Sequence, residues 1–176
     1  MAGSLVKIDE EIVSGSVSSV AVGGANWDSS YDVYKVVVNA LKVDTNDVVS
    51  YFRVLDNSNS PVTSANYDWA RKILKANASF GNGALTNSTL DYFANNRLGT
   101  GGNETASAVF YLFNFNNASE YSFYTTEQLN REKDGNLQGI QGGGVVTETA
   151  LHKGLHFFLD SGNYNGGSVK LYGLKK

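Results

Sequence analysis

The chain has 176 residues, a formal net charge of −3, 18% charged residues and no cysteine. Its length suits one domain, and a charged share below the usual ~25% leaves the surface to Asn, Ser, Thr and Gly. The acidic balance lacks the clustered basic footprint of a nucleic-acid binder, and without cysteine there is neither a disulfide framework nor a thiolate metal site.

At the N-terminus, Asp9, Glu10 and Glu11 stand where the apolar run of a secretory signal would continue. No stretch approaches the ~20 apolar residues of a membrane-spanning helix. A short arm over residues 1–4 is expected to precede the domain. Residues 13–22 mix β-branched with small polar residues, the pattern of a short or edge strand. Residues 31–43, centred on Val36, Val37 and Val38, and residues 48–55 are the clearest strands; the turn at Asn46 and Asp47 predicts a hairpin between them. Residues 56–61 break the pattern with loop residues and the sole proline.

Residues 66–77 read two ways. The pairs Ala70/Leu74 and Trp69/Ile73 have helical i,i+4 spacing, whereas Tyr67 and Trp69 alternate as in a strand. Residues 77–102 are rich in Gly, Asn, Ser and Thr and predict one short strand, 89–93. In the strand 105–115, alternation sets Val109, Tyr111, Phe113 and Phe115 on one face and Phe110 and Leu112 on the other. In the next strand, residues 121–129, Tyr121 and Phe123 oppose Tyr124. Gly142, Gly143 and Gly144 predict a close strand approach or a bulge; they lack the setting of a phosphate loop. Strands at 145–151, 155–159 and 168–174 complete the set, the last two flanking a Gly/Asn loop, residues 160–167, that signals a hairpin. Roughly eight to ten short strands with regular turn signals predict an all-β chain: a single antiparallel β-sandwich domain over residues 1–176, with at most one short helix near 66–77.

Residues able to carry chemistry are few. His152 and His156 are four apart, which on a strand places them on one face, as a satisfied or exposed pair rather than a metal site. Asp28, Asp32, Asp44 and Asp47 are the carboxylates a glycan-cleaving enzyme could use, yet spacing alone sets no facing pair. The run Asp44 to Asp47 has a fragment of a calcium loop without its ligand count. Arg71, Lys72 and Lys75 form the one internal basic cluster and read as a solvated face. Tyr121, Tyr124 and Tyr164, with neighbouring Asn, are candidate surface-contact residues for a sugar or a protein. No catalytic residue, metal ligand or cofactor is expected.

The segments 29–38, 64–67, 109–114, 142–145, 158–163 and 171–174, in that order, resemble a family of small virion structural proteins of tailed bacteriophages, notably marine and cyanobacterial ones. The resemblance runs from about Leu5 to Lys175. It implies a jelly-roll-like sandwich and a non-enzymatic protein made in the host cytoplasm and built into the virion. A capsid decoration protein or a short head or tail appendage is expected, because the domain begins too near Met1 for a long fibre shaft. Other capsid or tail proteins and further copies of the chain, a trimer by analogy, are the implied partners; nucleic acid and membrane are not. The alternative is a lectin-like receptor-binding tail-fibre or tail-tip module that takes a host surface glycan.

Overall fold

The structure, a computed structural model, describes residues 4–77 and 80–174. Its strands, numbered in chain order, form two antiparallel sheets. The large sheet runs β1 (Leu5–Val13), β12 (Tyr164–Leu174), β3 (Val33–Val43), β8 (Ala106–Phe113), β9 (Ser122–Arg131), β10 (Leu137–Val146), β5 (Tyr67–Lys75), β6 (Gly81–Ser88). The small sheet runs β2 (Ser19–Gly23), β11 (His152–Leu159), β4 (Val48–Asp56), β7 (Asp91–Leu98). A single 3-10 turn, Gly24–Asn26, is the only helical element among the described residues.

The first half of the large sheet, β1-β12-β3-β8, matches the small sheet, β2-β11-β4-β7, place by place. Each pair of chain neighbours is split between the sheets, so the chain is rolled into the double layer of a jelly roll. The all-β sandwich read from the sequence is therefore the fold. Two hairpins, β9–β10 and β5–β6, then widen the large sheet by four strands beyond β8.

This topology corrects both expected hairpins. Neither β3 with β4 nor β11 with β12 forms a pair; each turn instead carries the chain from one sheet to the other. Aspartates hold these crossings. The Asp44 carboxylate accepts from the Asn163 backbone N–H at 2.9 Å and from Ser16 Oγ at 2.9 Å. The Asp160 carboxylate accepts from the Val49 N–H at 2.9 Å. Turn residues thus signal a reversal correctly, but backbone partners decide which sheet receives the next strand.

Residues 66–77 resolve as strand β5, not helix: Tyr67, Trp69 and Arg71 point inward, and the strand pairs on both sides. The Gly/Asn-rich region holds β6 and a longer β7 where one short strand was expected. Of the N-terminal arm expected over residues 1–4, only Ser4 lies within the described residues.

Inward positions of β3, β4, β8 and β11 fill the core. Phe52, Phe93, Phe110 and Phe157 are all buried, with ring centroids 5.1–6.5 Å apart in tilted and edge-on pairs. Phe110 and Leu112 are buried while Val109, Tyr111 and Phe113 are not, so the expected alternation holds along β8. Phe115 departs from it and is fully buried, because Asn114 adopts a left-handed φ of 62° and turns the chain inward.

Candidate interaction surface

Widening the large sheet leaves an outer face that no second layer covers. Strand register builds its rows. Val33 on β3, Phe113 on β8, Phe123 on β9 and Val145 on β10 are successive cross-strand neighbours. Phe113 and Phe123 are exposed. The next row holds Lys35, Tyr111 and Thr125, with the Lys35 ammonium 5.6 Å from the Tyr111 ring centre. A third row is polar: Gln141 donates to Glu127 at 3.3 Å and Lys72 donates to Asn82 at 3.1 Å. Toward β1 the face turns ionic, as Glu10 pairs with Lys7 at 2.7 Å and Lys170 at 3.1 Å.

Of the three candidate tyrosines, only Tyr121 is exposed. It precedes β9 and leads into the Phe123 row. Tyr124 is inward, as alternation with Phe123 requires, and its hydroxyl donates to Asp91 Oδ2 at 2.7 Å. Tyr164 is fully buried, with its hydroxyl hydrogen-bonded to that of Ser50. Tyr124 and Tyr164 are therefore core residues and are removed from the surface set. Phe113 and Phe123 were missed as surface residues because alternation gives two faces without saying which meets solvent.

The inner face of the added strands is polar, and one ion pair dominates it. Arg71 on β5 and Asp91 on β7 are both buried and in contact. The guanidinium lies 3.9 Å from the Trp69 ring centre and 5.0 Å from that of Tyr92. Burial pushes the Asp91 carboxyl upward, while Arg71, the Tyr124 hydroxyl and the Tyr92 N–H favour its ionised form. This corrects the reading of Arg71 as part of a solvated basic face. Its role is to fasten the added strands to the small sheet.

The two histidines lie on opposite faces. A register shift between His152 and Leu155, with Gly154 at φ +136°, turns the strand over, so the same-face expectation fails. His156 stacks on Phe158 at 5.6 Å. His152 is fully buried: its Nδ1 lies 2.8 Å from Ser122 Oγ and its Nε2 lies 3.0 Å from Glu148 Oε1. The other Glu148 oxygen accepts from Asn66 Nδ2 at 2.6 Å. Serine, histidine and carboxylate in sequence are the parts of a nucleophilic triad. Here Ser122 and His152 have no exposed surface, so a substrate carbonyl cannot reach Oγ in the folded protein. The chain of bonds instead ties β9 and β11 to the loop between β10 and β11.

Burial lowers the His152 pKa against the opposing pull of Glu148, and burial with Arg53 lowers that of His156. Both imidazoles bind a proton more readily in the unfolded chain. Their contribution to stability is present above the ordinary imidazole value of ~6.5 and is lost as pH falls below it. The urea midpoint should therefore drop between about pH 7.5 and about pH 5.5, and His152→Gln should flatten that dependence. Equal midpoints at the two pH values would contradict the burial of both rings.

The carboxylates considered for glycan cleavage have separate engagements. Asp28 accepts from Ser30 Oγ at 2.6 Å and Asp44 holds the crossing loops. Asp47 pairs with Arg97 at 3.4 Å and Lys133 at 3.7 Å. No group of three His, Cys, Asp or Glu residues able to hold a metal ion occurs among the described residues. No helix of the described residues is long and apolar enough to cross a membrane.

Fold and surface together define an antiparallel jelly-roll sandwich with one widened sheet, whose outer face is aromatic where the middle strands β8 and β9 meet their connection. Comparison of the chain with protein-family models, curated proteins and solved structures finds no match in any of the three.

Proposed function

We propose that the chain is a non-enzymatic structural component of a tailed-phage virion, a capsid decoration protein or a short head or tail appendage. One observation carries this reading: the exposed aromatic side chains of Phe113, Phe123 and Tyr111 on the outer sheet face, with Tyr121 exposed just before β9. Apolar and aromatic side chains on a rigid surface suit a protein interface, where they supply contact area at low entropic cost. Several groups that could do chemistry are meanwhile engaged in structural hydrogen bonds. Ser122, His152 and Glu148 bond to one another, and Asp44 holds two loops. In this reading the sandwich is the rigid body and its partners are other virion proteins and further copies of itself.

Mass spectrometry of purified particles of the encoding phage tests it. Peptides of the chain should be found at many copies per particle; their absence from clean particles would overturn the proposal.

The polar row beside Tyr111 favours a second reading, a lectin-like receptor-binding module. Glu127 and Gln141 line one shallow depression with the exposed Tyr111 ring, and Lys72 and Asn82 continue the polar row on the next two strands, the donors, acceptors and aromatic face that sugar hydroxyls and C–H groups require. Binding on a glycan array that disappears in Tyr111→Ala would favour this reading over assembly.

A further inference from the structure

We infer that strand β6 is a self-pairing edge, through which two copies of the chain join β6 to β6 across a two-fold axis. The reading extends the proposed assembly role by naming its contact, and it does not depend on the virion context. Every sheet edge presents unpaired backbone N–H and C=O groups, and natural proteins guard such edges with charge, bulges or brevity. The two ends of the large sheet differ sharply in this respect. At one end β1 carries Lys7, Asp9, Glu10 and Glu11, with a register break between Lys7 and Asp9. At the other end β6 has eight residues, Gly81–Ser88, and no charge at all. Its irregularity lies toward Ser88, which leaves residues 81–85 in unbroken register with β5.

The small sheet has no comparable edge among the described residues. Strand β2 spans only five residues, and Asp9 accepts from its Gly23 N–H at 2.8 Å. Strand β7 is fastened to the large sheet, since the Gln128 carboxamide accepts from the Ala94 N–H at 3.1 Å and donates to the Tyr92 carbonyl at 3.2 Å.

Exposed apolar side chains accompany the unguarded edge. On the outer face, Leu129, Gly139 and Leu74 are cross-strand neighbours. Phe80 directly precedes β6 and is 64% exposed, and Leu137 is 49% exposed; Leu85, also 49% exposed, is the cross-strand neighbour of inward-facing Trp69 and lies on the other face of the edge. Edge and patch are continuous, so a second sheet that extends this one would cover part of the patch as it satisfies the backbone.

Charge selects the occupant. In a two-fold contact residue i of one strand faces residue j of the other and j faces i, so a strand without charge can pair with its own copy in any register without setting like charges together. On β1 the charged side chains and the break in register between Lys7 and Asp9 restrict such pairing, whereas β6 has neither a charge nor a break over residues 81–85. Antiparallel pairing of identical strands also follows directly from a two-fold axis normal to the sheet. A second copy of this chain is therefore the partner, and the contact yields dimers rather than the trimer expected by analogy.

Sedimentation equilibrium across a wide concentration range tests this. The purified chain should show a reversible monomer–dimer equilibrium. The double variant Ala84→Lys/Leu85→Lys, which places charge on both faces of the edge, should weaken it about tenfold or more. Ile12→Lys on β1 should leave it unchanged, and thermal melts of both variants should match wild type. Since the chain has no cysteine, single Cys substitutions at positions 82–86 add a direct readout. A disulfide needs Cα atoms within about 7 Å, so crosslinking should be confined to the position nearest the axis. A monomer at all concentrations, dissociation by Ile12→Lys instead, or equal crosslinking along the whole strand would each overturn the inference. Failure here would leave the particle mass spectrometry unaffected, so the two proposals fail separately.

Discussion

Asp91→Ala should cost about 3–5 kcal/mol of folding stability, because it leaves the Arg71 guanidinium buried without its counter-charge. The size of the effect comes from what surrounds the pair. Arg71 and Asp91 side chains are each only 3% exposed, so water cannot take over from the missing carboxylate. The Tyr124 hydroxyl loses its acceptor in the same step. Arg71 belongs to the added strands and Asp91 to the small sheet, so the change removes the main polar tie between them. Urea unfolding of the two proteins measures the loss directly. A double variant, Arg71→Met with Asp91→Leu, should recover most of it, since an apolar pair of similar volume needs no compensation. A loss below about 1 kcal/mol for Asp91→Ala would mean that the pair is solvated and that something else holds the added strands.

Gly144→Val is the second large effect expected, about 3 kcal/mol or more. A side chain at position 144 would run into the Tyr124 hydroxyl and ring and the Asp68 carbonyl. Position 144 lies between Tyr124 on β9 and Trp69 on β5, so neither neighbour can retreat without breaking a ladder. Gly142 is confined in the same way, by the Ala70 carbonyl and the Arg71 backbone. These glycines are small because Tyr124 and Arg71 reach toward Asp91 across the space their side chains would fill. Differential scanning calorimetry of Gly144→Val should show a lowered melting temperature and, when combined with Asp91→Ala, a loss smaller than the sum of the two, because both changes strike the Tyr124 hydroxyl. Full additivity of the two would contradict a shared network.

Much of this was legible in the sequence, for reasons that particular residues make plain. Period-two alternation identified β8 and the inward turn of Phe110 and Leu112, because a core on one face forces it. It likewise set Phe123 against Tyr124. The close strand approach at Gly142, Gly143 and Gly144 could be anticipated, since glycine in a strand interior has few other uses. What failed was long-range. Asp44 and Asp160 looked like ordinary turn residues, and nothing local shows that their carboxylates hold crossings between sheets rather than hairpins. Strand β6 escaped notice because its Gly/Asn composition is that of a loop; its neighbour β5 makes it a strand. Arg71 looked solvated because its partner Asp91 is twenty residues away.

The surface was legible only in part. Exposure of Tyr121 and burial of Tyr124 and Tyr164 depend on which side of the large sheet the small sheet covers, and that is set by the order of strands. The roll also places His152 in the core and leaves His156 half-buried on the other face of β11, through one bulge at Gly154.

In the proposed virion role the outer face of the widened sheet is the face that docks. A cryo-electron microscopy map of the intact particle, at a resolution that separates the two sheets, tests it most directly. The jelly roll should lie on the capsid or tail, with Phe113 and Phe123 covered by a neighbouring protein. A particle in which the chain is present and this face is open to solvent would contradict it.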